Sequence, residues 1–135
     1  MALLDGQCLC GQCRLSGEGP AMKAVHCQCT DCQKLSGAGH KVNVIVAKGG
    51  VHLTGPVTTF KSTADSGNEN TRSFCANCGT QMLRTNSGMP DVAIIHAGTL
   101  NNPANVTPSA VIWNKSAVVW DYCDPKLPVF PEMPT

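Results

Sequence analysis

The sequence predicts a mainly β domain, on two observations. Its interior is a succession of short β-branched runs, and no long segment holds a 3.6-residue apolar period. The first clear strand is Lys41-Val42-Asn43-Val44-Ile45-Val46-Ala47, in which Val42, Val44 and Val46 share one face. Gly49-Gly50 marks a turn, and Val51-His52-Leu53-Thr54 starts again. Val57-Thr58-Thr59-Phe60-Lys61 is another β-branched run. Positions 64–70 are polar and read as a loop. Ser73-Phe74 and Gln81-Met82-Leu83-Arg84 flank a cysteine pair. Val92 to His96 and Ala110 to Trp113 read as buried strands, and Val118-Val119-Trp120 is the last candidate. A short helical turn fits only Thr30 to Leu35. Pro125, Pro128, Pro131 and Pro134 keep the tail out of helix and sheet, so it is expected to wrap the surface.

A chain of 135 residues fits one domain, 1–135, with no repeat or linker inside it. Hydrophobic residues make up 42% but aromatic ones only 4%, so ring side chains supply little of the core and something else must staple the fold. The formal charge is +1 and no basic run occurs, which argues against a nucleic-acid surface. Met1 to Gly6 has no cationic start or long apolar stretch, so no signal peptide is read; no run of about 18 apolar residues occurs, so no membrane span is read, and the expected location is cytoplasmic. Nine cysteines there argue for metal or thiol chemistry over disulfides.

The cysteines fall into groups: Cys8-Leu9-Cys10-Gly11-Gln12-Cys13, Cys27-Gln28-Cys29-Thr30-Asp31-Cys32, Cys75-Ala76-Asn77-Cys78-Gly79, and Cys123 alone. Two residues between Cys75 and Cys78 let the chain turn and aim both sulfurs at one tetrahedral ion, with Gly79 free to take positive φ. Cys8 and Cys10, on one side of an extended segment, are the natural completing pair, giving a closed structural zinc site. The alternative is a redox disulfide between Cys75 and Cys78. Cys27, Cys29 and Cys32 can hold one metal and leave a fourth corner open, the layout of a catalytic zinc. The alternative there is a second closed site, completed by a histidine or by Cys123.

Cys8-x-Cys10-Gly11, Cys27-x-Cys29-x-x-Cys32, Ser36-Gly37-Ala38 and Phe74-Cys75-x-x-Cys78-Gly79 stand in an order and spacing that resembles the glutathione-dependent formaldehyde-activating enzyme family, which includes centromere protein V. The resemblance continues through His96-Ala97-Gly98-Thr99-Leu100, Ile112-Trp113 and Leu127-Pro128-Val129-Phe130-Pro131. It implies an all-β, mainly antiparallel, zinc-stapled, sandwich-like domain. It also implies two Zn2+ ions, a structural one on Cys8, Cys10, Cys75 and Cys78 and a catalytic one on Cys27, Cys29 and Cys32. The implied activity is condensation of glutathione with formaldehyde, carbon–sulfur lyase chemistry with a small-molecule thiol and carbonyl as partners. The chain departs from the family pattern at Gln28, Gln33, His40, Asn101 and Val111, which leaves the ligands intact and changes the pocket wall.

His40, where a strand begins, is the first candidate for a general acid/base, with a fourth metal ligand as the other use. His26 is placed for a supporting hydrogen bond to the cluster, His96 reads as a satisfied buried histidine and His52 as a surface one. Cys13 reads as a small hydrophobe and Cys123 as a free thiol or a neighbour of the open zinc. Lys34 and Lys41 flank the cluster and can attract a carboxylate. The rival to an enzyme is a non-enzymatic zinc-stapled interaction module, and behind it a thiol redox protein.

Overall fold

The computed structural model describes residues 4–18 and 23–134; Met1 to Leu3, part of the segment read as carrying no signal, lie outside the described residues. Two sheets form. The smaller holds β1 (Gly6–Gln7), β2 (Arg14–Gly17) and β5 (Val51–Thr54), in that order. The larger holds β3 (Lys23–Cys27), β4 (Lys41–Ala47), β6 (Val57–Thr63), β7 (Glu69–Cys75), β8 (Gln81–Asn86), β9 (Val92–His96) and β10 (Val111–Ile112), in the order β10-β3-β4-β9-β8-β7-β6. All pairs between named strands are antiparallel except β10 beside β3. The one α-helix among the described residues, α1 (Thr30–Ser36), joins β3 to β4. No helix there is long and apolar enough to cross a membrane.

Strand alternation divides the large sheet into two unlike faces. One carries Val44 and Val46 of β4 and Ala93 and Ile95 of β9, which pack with Leu15 of β2, Val51 of β5 and Met82 of β8 in the main core. Each such aliphatic side chain contributes about 1.5–3 kcal/mol on burial. The opposite face carries Val25 and Cys27 of β3, which pack with Cys32 of α1 and Ile112 of β10 in a second, smaller cluster. The same face bears Lys41 and Asn43 of β4 and His96 of β9, all buried.

The β4, β5 and β9 runs stand where the sequence placed them, and β6 runs on to Thr63. The polar stretch 64–70 is a turn only as far as Asn68, because Glu69 and Asn70 already pair with Thr63 and Ser62. Val118-Val119-Trp120 is not a strand: the chain forms a 3-10 turn at Asn114–Ser116, and Val119 and Trp120 face solvent at 91% and 61% exposure. Trp113 explains the change of course. It takes a left-handed backbone (φ 59°), which a non-glycine residue adopts only where its surroundings impose it. The proline-rich tail returns along β10, and the Phe130 amide donates to the Val111 carbonyl at 2.9 Å.

Candidate functional site

Two cysteine clusters converge. The sulfurs of Cys8, Cys10, Cys75 and Cys78 all lie within 4.8 Å of one another. Cys8 and Cys10 are 3.5 Å apart, and Cys10 and Cys75 3.8 Å. Thiolates sharing one tetrahedral zinc through bonds of ~2.3 Å stand roughly 3.8 Å apart, so this donor set fits the ion. Two matching turns build it. In the β7–β8 hairpin the amides of Asn77 and Cys78 both donate to Cys75 Sγ at 3.4 Å, and Gly79 takes φ 81°. In the N-terminal turn the Cys13 amide donates to Cys8 Sγ at 3.2 Å, and Gly11 takes φ 81°. Positive φ costs a side-chain-bearing residue about 1–2 kcal/mol, which glycine avoids. The Thr80 hydroxyl, 3.2 Å from Cys78 Sγ, is the main reason the Cys78 thiol is pulled down to about 5.

Cys27, Cys29 and Cys32 also lie within 4.8 Å of one another, and among the described residues no further His, Cys, Asp or Glu joins all three. Cys27 ends β3. Cys29 is the N-cap of α1, its sulfur accepting from the Cys32 amide at 3.3 Å, and Gly37 closes the helix in a left-handed conformation. Contacts from the Cys27 and Cys29 thiols, aided by the charge of Lys41, hold the Cys32 thiol down at about 3. The same contacts with Cys29 and Cys32, with burial, push Cys27 up. Ligation of a cation by these three residues would release the protons of their thiols.

The sheet face beside it is basic. Arg72 of β7 stands directly across from Arg84 of β8, both register-matched to the face that bears His96 and Asn43. Like charges directly opposite are unfavourable, so this pair needs anions nearby. Burial lowers the pKa of Arg84 and of Lys41. Arg72 Nε and Arg84 Nε are buried without a hydrogen-bond partner, as is Asn43 Oδ1. Arg72 has an acidic neighbour in Asp31, which is exposed and 3.9 Å away, a weak pairing. His96 is locked as the neutral ring: its Nδ1–H donates to the Gln81 carbonyl at 3.1 Å, and Nε2 accepts from Lys41 Nζ at 3.0 Å. Burial, then the Lys41 charge, lowers its pKa to about 3.

His40, Lys41 and His96 line an open cleft of about 490 Å³, whose lining includes Ser36 at the end of α1 and Gly79 and Thr80 beside the four-cysteine turn. The His40 ring donates from Nδ1 to Asp121, 2.7 and 2.9 Å from the two carboxylate oxygens. Neither His40 nor Cys123 reaches the Cys27, Cys29 and Cys32 sulfurs as a fourth member of that group. His26 stacks edge-on against His40 at 4.8 Å. Lys34 and His52 are exposed, whereas Lys41 is buried, and Cys13 is fully buried as a small hydrophobe. Sequence reasoning missed Asp121, Arg72 and Arg84. Lys41 and Asn43 carried a signal, since they alternate with Val42, Val44 and Val46 and so had to occupy the other face.

The family model described as glutathione-dependent formaldehyde-activating enzyme matches residues 3–116. A crystal structure of a Rhodobacter sphaeroides protein is similar with a TM-score of 0.60 at 16% identity, covering 78% of this chain and 92% of that one, a likeness of fold alone. No curated protein matches.

Proposed function

Because the chain belongs to the glutathione-dependent formaldehyde-activating enzyme family, we propose that it joins a glutathione-like thiol to a small aldehyde such as formaldehyde, or runs the reverse. The carrying observation is the convergence of three sulfurs, without a fourth ligating side chain among the described residues, beside a buried basic face. Cys27, Cys29 and Cys32 would hold a catalytic Zn2+, and Cys8, Cys10, Cys75 and Cys78 a structural one. When bound at the first, zinc lowers the pKa of a thiol and polarises a carbonyl.

The chain's own groups supply the rest. Lys41, Arg84 and Arg72 set a positive field that favours an anionic thiol and its carboxylates. The sulfur lone pair forms the C–S bond, the carbonyl π pair moves to oxygen, and that oxygen takes a proton. We assign His40 to carry it: Nε2 takes the proton that the thiol gives up and passes it to that oxygen. Asp121 holds Nδ1, which leaves Nε2 for exchange, and makes Asp121 a positioning residue. Nine free cysteines suit a reducing compartment, for which we propose the cytoplasm. The test is two-dimensional exchange NMR on a glutathione and formaldehyde mixture at equilibrium. The protein is expected to speed exchange between free glutathione and its hydroxymethyl adduct. A rate equal to that of the buffer sinks the assignment.

A further inference from the structure

A third group of ligating side chains forms without any of the cysteines of the two clusters, beside the Cys27 end of β3. The ligand atoms of His26, His40 and Cys123 lie within 4.8 Å of one another. We propose that these three residues, with the Asp121 carboxylate, form an additional site for a divalent first-row transition ion.

The donor set fits such an ion. Two imidazoles, a thiolate and a carboxylate are ligands for zinc and its neighbours. A nitrogen and a sulfur on one tetrahedral zinc sit roughly 3.6 Å apart, and His40 Nδ1 and Cys123 Sγ are 3.9 Å apart. Asp121 is already against the same nitrogen, at 2.7 Å. With Cys123 deprotonated, a dication there meets one thiolate and one carboxylate and the site is neutral overall. That suits a side chain such as Asp121, only 8% exposed.

Three features of the surroundings point the same way. His26 Nδ1 is buried and bonds to nothing among the described residues, an orphan that is unfavourable unless a ligand meets it. Gly39 has no side chain where a Cβ would overlap Asp121, so the backbone beside His40 makes room for the carboxylate. Gln28 Nε2 reaches both Asp121 Oδ2, at 2.9 Å, and Cys123 Sγ, at 3.8 Å, while its Oε1 accepts from Asn114 at 3.0 Å. This contact network holds Asp121 and Cys123 in place before any ion arrives, the supporting arrangement that metal sites use.

A cysteine–histidine–aspartate nucleophile fits the same residues less well. That device needs the thiol and the carboxylate on opposite ring nitrogens, and here both approach Nδ1. Loading releases the Cys123 thiol proton to solvent and moves the His40 ring proton from Nδ1 to Nε2. A loaded site leaves His40 with its proton on Nε2 and no free lone pair, so ion binding here opposes the proton transfer assigned to His40.

The test is a count of bound ions, by elemental analysis after equilibration with Zn2+ and removal of the excess. It compares the natural chain with Cys123→Ser, which lies outside the catalytic group, and with His26→Gln, whose ring stacks on His40 and which is read for its ion count alone. Each variant is expected to bind one ion fewer per chain, and Cys123→Ser to keep the glutathione–formaldehyde exchange. A Cys29→Ser variant should lose a different ion, so that Cys29→Ser and Cys123→Ser together lose two. Equal counts in the natural chain, Cys123→Ser and His26→Gln overturn the site, whatever the exchange assay says of the catalytic reading.

Discussion

Replacing Cys78 with serine is expected to abolish the cooperative folding of this domain. The four sulfurs of Cys8, Cys10, Cys75 and Cys78 tie the N-terminal turn to the β7–β8 hairpin, two segments about 65 residues apart in the chain. The N-terminal turn leads into β2, whose Leu15 is wholly buried in the main core. A structural zinc contributes ~10–16 kcal/mol of apparent binding energy to folding in small metallo-domains. A domain of this size holds only ~5–15 kcal/mol of net stability. The metal contribution thus matches the whole, in a core with few rings to replace it. Circular dichroism on heating should show no sharp transition for Cys78→Ser and a sharp one for the natural chain. A variant melting within a few degrees of the natural chain would show that the four sulfurs do not staple the fold.

The second large effect is on activity with the fold intact. Cys29→Ser is expected to melt near the natural chain, bind one ion fewer, and lose at least about 100-fold in the exchange rate. The fold survives because the residue is the N-cap of α1, and serine is among the best N-cap residues, its hydroxyl taking over the bond from the Cys32 amide. The activity falls because one of three metal-binding sulfurs is gone. Lewis-acid catalysis is worth several kcal/mol, and each 1.36 kcal/mol is tenfold in rate. Melting and exchange measured on one preparation separate the two effects. If Cys29→Ser and Cys78→Ser behaved alike, the division between a structural and a catalytic cluster would be wrong.

The strands that align alternation with burial were readable from sequence. Val42, Val44 and Val46 had to share a face, and they line the main core. The cysteine spacings likewise set out three local groups, because ligands two or three residues apart meet through a single turn. What could not be read was everything set by pairing across the sheet. Arg72 and Arg84 meet only because β7 and β8 align in one register, and nothing local to either residue encodes that. Asp121 was hidden for a different reason. The run Val118-Val119-Trp120 has strand composition, but the left-handed turn at Trp113 and the 3-10 turn after it swing this segment outward and bring Asp121 and Cys123 over His40. The departures from the family pattern at Gln28, Gln33 and His40 acquire a common meaning in that light. Gln33 donates to the Ser116 carbonyl at 2.9 Å, Gln28 to Asp121, and His40 to Asp121, so all three organise the same loop.

The measurement that bears most directly on the central claim is X-ray absorption at the zinc edge, with the ions counted, before and after excess glutathione. The account predicts a three-sulfur site with a light fourth atom that gives way to a fourth sulfur when glutathione is added, beside a four-sulfur site that does not change. Four-sulfur coordination at both cysteine clusters, indifferent to glutathione, would contradict it and turn the reading toward a zinc-stapled interaction module.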